Sequence, residues 1–284
     1  MSDSQGPQDK IHQERLIERV LLASVEEQRR NRRWGIFFKS LLALYVGIAL
    51  LMNASSFEGL LKKEGGEKTA VIDVAGLIAP GQPASADNLI DALEEALEDP
   101  KVKGVILRMN SPGGSPVQSA SVFEEIRKIK AARPDFPIVA VVADLCASGC
   151  YYIAAAADKI YVSEASVIGS IGVIMGSFGF VEAMKSLGVE RRIMTAGEHK
   201  ALLDPFAPVD SVAKDHMQGL IGEVHRQFIE AVKLGRGERL KETPTMFSGL
   251  VWNGSEGIRL GLADALGNDR WVAETVIGAK DRVN

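Results

Sequence analysis

An α/β domain built on a mainly parallel sheet with helices on both faces, preceded by one transmembrane helix, is predicted by three features of this 284-residue sequence. Short runs such as VKGVILRM at 102–109 and FPIVAVVA at 136–143 are almost continuously apolar, so both faces of each strand are expected to be covered. Between such runs lie segments with apolar residues at helical spacing, and strands alternating with helices indicate parallel pairing. The third feature is WGIFFKSLLALYVGIALLM at 34–52, about 19 residues where roughly 20 are needed to cross a bilayer.

Residues 1–33 are polar and charged, with Ile11, Leu16, Ile17, Val20, Leu21 and Leu22 forming a partial helical stripe. Arg29, Arg30, Arg32 and Arg33 stand directly before the span, whereas Lys62, Lys63 and Lys68 lie farther along on its other side. The positive-inside rule then keeps residues 1–33 in the cytoplasm and puts everything after residue 55 outside. Lys39, near one end of the span, can snorkel to the interface. A cleaved signal peptide is the competing reading, because MNASS follows the apolar run; the long, acid-containing leader favours an uncleaved anchor.

Residues 53–68 read as a linker and 69–284 as the folded domain. TAVIDVAGLI at 69–78 is the first strand, and the helix SADNLIDALEEALED at 85–99 stops before Pro100. The second strand, 102–109, leads to a helix over 116–132; the third strand, 136–143, leads to an alanine-rich helix through residue 157. KIYVS at 159–163 and VERRIM at 189–194 read as short strands. A helix over 210–234 puts Val212, Met217, Leu220, Val224, Phe228 and Val232 on one side.

A net charge of −4 without a basic stripe argues against nucleic-acid binding. Cys146 and Cys150 have no second pair and no histidine at zinc-ligand spacing, so no metal is expected. They read as two small buried thiols, since a disulfide would have to close across a strand-to-helix turn.

Two loops can carry chemistry. NSPGGSP, Asn110 to Pro116, joins a strand to a helix; its glycines let backbone N–H groups approach an anion, although taken alone the pattern reads more readily as a plain turn. The loop lacks the Gly-Lys-Ser/Thr of a phosphate loop. In ADLCASGCYY, Ser148 is either a helix N-cap or a nucleophile with the Gly149 N–H as oxyanion donor, and the local sequence leaves both readings open. A nucleophile needs a base. His12 falls on the other side of the membrane and His216 and His225 fall on the long helix, while His199 adjoins Lys200 in TAGEHKALLDPF. A lysine serves as base where burial disfavours its ammonium; otherwise it is a solvated loop residue.

NSPGG, ASGCYYIAAAADKIYVSEASVIGSIGV, TAGEHKALLDPF and FSGLVWNGSEGIRLGLADALG, in this order over residues 69–270, resemble the signal peptide peptidase A family of serine proteases. That family is related in fold to the Clp protease subunit and the crotonases, so the resemblance implies a Clp/crotonase-like fold. It also implies Ser148 as nucleophile, Lys200 as general base and Ser170 as the residue orienting the lysine amine. The oxyanion hole falls to Gly149 with Gly113 or Gly114, and Asn110 is expected to brace that loop. The family usually carries glycine where this chain has Cys150.

Double-length members hold the lysine and the serine in different halves. The single-length chain is therefore expected to form a homo-oligomeric ring with Ser148 of one subunit against Lys200 of the next. The implied activity is a membrane-anchored endopeptidase acting on signal peptide remnants or other membrane-released peptides, without a cofactor, on the outer side of a bacterial cytoplasmic membrane. Two alternatives are a crotonase-like enzyme acting on acyl thioesters, and a non-catalytic membrane scaffold of the same fold.

Overall fold

The computed structural model describes residues 32, 34–48 and 66–283, and the chain divides into two units between Glu64 and Gly65. In the first unit residues 34–48 are helical, and Trp34, Phe37, Phe38, Leu42 and Tyr45 along that helix are all exposed. Among the described residues no helix is long and apolar enough to cross a membrane. Residues 49–52 of the expected span, the stripe from Ile11 to Leu22 and most of the linker lie outside the described residues.

The second unit is organised by β1 (Lys68–Ile78), β2 (Val102–Gly114) and β3 (Ile138–Ala147), paired in parallel. β1 and β2 are joined by α1 (Ala86–Glu98), and β2 and β3 by α2 (Pro116–Ala132). Ser85 and Ser115 cap these helices, each accepting a bond from the N–H three residues on, which satisfies an otherwise orphan donor. The short α3 (Gly149–Ala154) follows β3. β4 (Lys159–Val162) pairs with the first part of β3, and β5 (Val167–Gly169) pairs with its last part.

The chain then runs through an exposed arm containing α4 (Val181–Ser186), and returns along α5 (Ser211–Arg236). β6 (Val251–Asn253) adds antiparallel to β5; α6 (Gly254–Arg259), β7 (Ala265–Leu266), α7 (Asp269–Val272) and β8 (Asp281–Val283) complete the domain. The sheet has eight strands, parallel except at β5–β6.

Alternation along β1 shows why its strand reads as apolar throughout. Ala70, Ile72 and Val74 join the core under α1, α2, α3 and α5, while Val71 packs on the opposite face with Ile106, Val139, Val141, Tyr161 and Val272. Helices thus lie on both faces, the second being covered, among the described residues, by α7 and the π-helical turn Ala273–Ile277 after it.

Four expectations need correction. Residues 189–194 form no strand: the arm carries them away from the sheet, so no neighbouring edge can supply ladder bonds. The alanine-rich helix ends at Ala154, and Ala155 to Ala157 continue as turns. Of the apolar side of α5, Phe228 and Val232 are buried, but Val212 and Leu220 are about half exposed: the N-terminal half of the helix packs through Ala213 and leaves those two side chains at the surface. Cys146 and Cys150 are joined in a disulfide, their Cα atoms 5.1 Å apart. The tight turn at Ser148 brings the end of β3 and the first turn of α3 within the reach a disulfide needs.

Candidate active site

β2 and β3 continue past their apolar segments and end beside one another, with Ser111 opposite Cys146. This places the glycine loop and Ser148 at one end of the parallel sheet, where open α/β sheets leave a crevice. A cleft of about 590 Å³ opens there, and among its walls are Gly113, Gly114, Ser148, Gly149, Ser170 and Gly249. Leu77, Tyr152, Val173, Ile174, Val224 and Phe228 make much of the remainder apolar.

Ser148 occupies the N-cap position of α3, yet its hydroxyl makes no capping bond. Ser85, Ser115, Asp210, Asn253 and Asn268, the N-cap residues of α1, α2, α5, α6 and α7, all do. The Ser148 backbone has φ 54° and ψ −123°, a region non-glycine residues rarely enter, held by its N–H donating to Gly169 O at 2.8 Å. Such strain turns the side chain out of the capping geometry and toward the cleft.

The glycines around it are required by contact. A Cβ on Gly113 would lie 2.6 Å from Gly149 N and 2.9 Å from Ser148 Cβ; one on Gly114 would collide with Ile78 O, and one on Gly149 with Ser119 Oγ. The Gly113 N–H is already committed to Ser111 Oγ at 3.0 Å, and that hydroxyl donates onward to Gly76 O. Ser115 N–H donates to Ile78 O at 2.7 Å, on the β1 side, and Gly114 N stands beside Gly149, 3.2 Å from where a Cβ on that residue would lie. Asn110 Nδ2 reaches Asp144 Oδ2 at 3.5 Å, tying the loop's start to β3.

Ser170 is half-buried with φ 52°, and its N–H donates to Leu250 O at 2.7 Å. The next carbonyl, Ile171 O, is 3.2 Å from His225 Nε2, which therefore donates. Ser111 and His225 escape sequence reasoning, since their roles depend on long-range contacts; the serine of NSPGG was the only available signal. Tyr152 lines the cleft with its ring stacked on Phe228 at 4.9 Å, and burial pushes its phenol above the usual tyrosine range, with Glu124 and Glu230 adding to the shift.

Lys200 is not brought to this cleft. It lies exposed in the arm, its N–H donating to Gly197 O at 3.2 Å. His199, beside it, is exposed too.

The model of peptidase family S49 matches residues 130–280, more than half of the chain, including Ser148, Ser170 and Lys200. The chain belongs to this family. The names of several relatives, protease and signal peptide peptidase among them, agree with that membership. A protein of Methanocaldococcus jannaschii provisionally named a protease is 31% identical over 244 residues, covering 82% of this chain and 77% of the relative. Protease 4 of Haemophilus influenzae is 31% identical over 205 residues, or 71% of this chain and 33% of that one. A Brucella abortus protein named Na(+)/H(+) antiporter NhaA is 42% identical over 188 residues, 66% of this chain. The chain spans only about a quarter of the length of that relative and of its Brucella melitensis counterpart. Within an S49 peptidase, an uncapped serine facing a glycine-lined cleft has the form of an acyl-transfer nucleophile.

Proposed function

We propose that this S49 peptidase is a membrane-anchored endopeptidase whose Ser148 attacks the scissile carbonyl while Lys200 of a neighbouring subunit takes the serine proton. The observation that carries the reading is the strained, uncapped Ser148 in a cleft lined by Gly113, Gly114 and Gly149. In that reading Gly149 and Gly114 N–H stabilise the oxyanion, with Gly113 shaping the turn and orienting its partner through Ser111. Ser170 orients the incoming lysine amine. The apolar walls suit signal peptide remnants or other membrane-released peptides.

The arm supports a ring of subunits. Ile174, Met175, Phe178, Leu187, Val189, Ile193 and Met194 are all between about half and fully exposed, more apolar surface than a soluble monomer usually leaves uncovered. A head-to-tail contact that covers the arm would carry Lys200 to the next subunit's cleft, and such contacts close into rings. Two further observations support the topology. The helix over 34–48 is apolar apart from Lys39 and Ser40, a composition that suits a lipid-facing segment whose lysine lies near one end. The disulfide suits an oxidising compartment, the side of the membrane to which the arginine cluster assigns the domain. Ion transport is not carried over from the Brucella relatives, because the match spans only about a quarter of their length.

Labelling with a fluorophosphonate probe, followed by peptide mapping, tests the nucleophile: the adduct is expected on Ser148. A label on any other serine overturns the assignment.

A further inference from the structure

The arm that carries Lys200 has a clasp at its base. Arg191 and Asp204 bracket the segment 192–203, and their side chains meet across it: Arg191 Nε and Nη2 both lie 3.3 Å from Asp204 Oδ2. Asp204 Oδ1 accepts the Phe206 N–H at 3.0 Å. The Arg191 guanidinium lies over the Phe206 ring, 5.6 Å from its centroid, and Phe206 stacks on Phe180 at 5.5 Å. Phe180 N–H closes the circuit by donating to Pro205 O at 2.7 Å.

Two features set this cluster apart from its surroundings. In an arm that is otherwise open, the Asp204 side chain is only 7% exposed. Leu203, immediately before it, has φ 55°, a conformation that for a branched residue persists only where neighbours hold it. Inside the bracket the backbone bonds are local turns, Lys200 to Gly197 and Leu202 to His199. Tying the ends of a loop removes much of the freedom its tip would otherwise have.

We propose that Asp204 and Arg191 are positioning residues for Lys200, the clasp fixing the stem of the loop that delivers the lysine to the neighbouring Ser148. The inference rests on the reading of Lys200 as general base. Arginine suits the task because its planar fork can contact a carboxylate and lie flat on an aromatic ring at once, which a lysine ammonium cannot do.

The test is steady-state hydrolysis of a fluorogenic apolar peptide by the full-length assembled enzyme. Lys200→Ala is the control, and the assembly of every variant is checked by sedimentation. Asp204→Ala and Arg191→Ala are each expected to lower kcat at least about tenfold with KM changed less than about twofold, the pattern of an interaction realised in the transition state. Asp204→Asn, which keeps an acceptor for Phe206 N–H, covers the case in which Asp204→Ala does not fold. Arg191→Lys is expected to recover only part of kcat, and the Asp204→Asn/Arg191→Ala double variant to be no worse than either single one, as coupled partners require. Unchanged kcat in the clasp variants alongside an inactive Lys200→Ala overturns the clasp and leaves the dyad standing. Loss of activity that follows loss of assembly also overturns it, since the role is then structural. An active Lys200→Ala overturns the dyad reading itself.

Discussion

The end of the sheet that holds Ser148 and the arm that holds Lys200 are built on opposite terms. Around Ser148 the backbone is fixed from all sides: Gly169 O takes its N–H, Ser111 Oγ holds the glycine loop, and Cys146 and Cys150, both fully buried, bracket the turn. The arm exposes Ile174, Phe178 and Met194 almost completely and ties itself together mainly through the Arg191–Asp204 cluster. In the proposed reading one half of the site is finished inside a subunit, and the other presents surface for a partner to cover. If the arm completes the site as proposed, fold stability and completion of the active site reside in separate parts of the chain, and substitutions in the two regions should fail in different ways.

The sharpest test of this division is complementation. Ser148→Ala and Lys200→Ala are each expected to lower kcat/KM by about a thousandfold or more while leaving thermal unfolding near that of the parent. His199→Ala should retain most activity. If co-expressed Ser148→Ala and Lys200→Ala chains assort at random in a ring, about a quarter of the interfaces pair an intact serine with an intact lysine, and activity should return to about that fraction. No recovery in rings containing both chains would place the dyad within one subunit.

A smaller but still large effect separates the two ends of α5. Phe228 is 4% exposed under the cleft, and Phe228→Ala should cost about 3–5 kcal/mol in denaturant unfolding. Leu220, 47% exposed on the same helix, should give a Leu220→Ser variant within about 0.5 kcal/mol of the parent in the isolated subunit but with weakened assembly.

Next comes the buried ion pair on the sheet side. Arg236, fully buried, donates to Asp264 Oδ2 and Gly261 O, while Ile160 N–H donates to the same carboxylate. Burial pushes the Asp264 carboxyl up, but the Arg236 bond and charge, the Ile160 N–H and Arg239 together bring it below the ordinary 3.8. A depressed carboxylate contributes stability that is present above its unfolded value and lost as pH falls through its folded one. Melting temperature should therefore show an Asp264-dependent decline below pH 3.8 that Asp264→Asn removes while lowering stability at pH 7.

The smallest pair is Tyr151→Phe and Tyr152→Phe. Tyr151 is fully buried and its hydroxyl donates to Leu262 O at 2.8 Å, so its loss should cost about 1 kcal/mol in urea unfolding. Tyr152 makes no comparable bond in the described structure, and its variant should be nearly neutral.

The strands over 69–78, 102–109 and 136–143 were legible because burial on both faces leaves an unbroken apolar run. Their extensions to Gly114 and Ala147 were not, since NSPGG and DLCA look like loop chemistry until each is seen to be the other's partner. Residues 189–194 misled for the converse reason: strand-like composition without an edge to pair with. The placement of Ser148, Ser170 and the glycines in one cleft followed the order of the motifs. The disulfide was invisible, because whether two cysteines four apart meet depends on the turn between them. Ser111, Asp204 and the His225 bond belong to the same class, side chains whose meaning arises only when distant segments meet.

The link between Cys146 and Cys150 also acts on the chain when it is not folded. It encloses Ala147, Ser148 and Gly149 in a small covalent ring, so the denatured ensemble samples few backbone geometries there. For so short a loop the chain-entropy relation gives about 2 kcal/mol of destabilisation of the unfolded state. The turn that folding would otherwise have to select from many is thus already narrowed in the disordered chain, and a refolding polypeptide begins with the segment around Ser148 partly in shape.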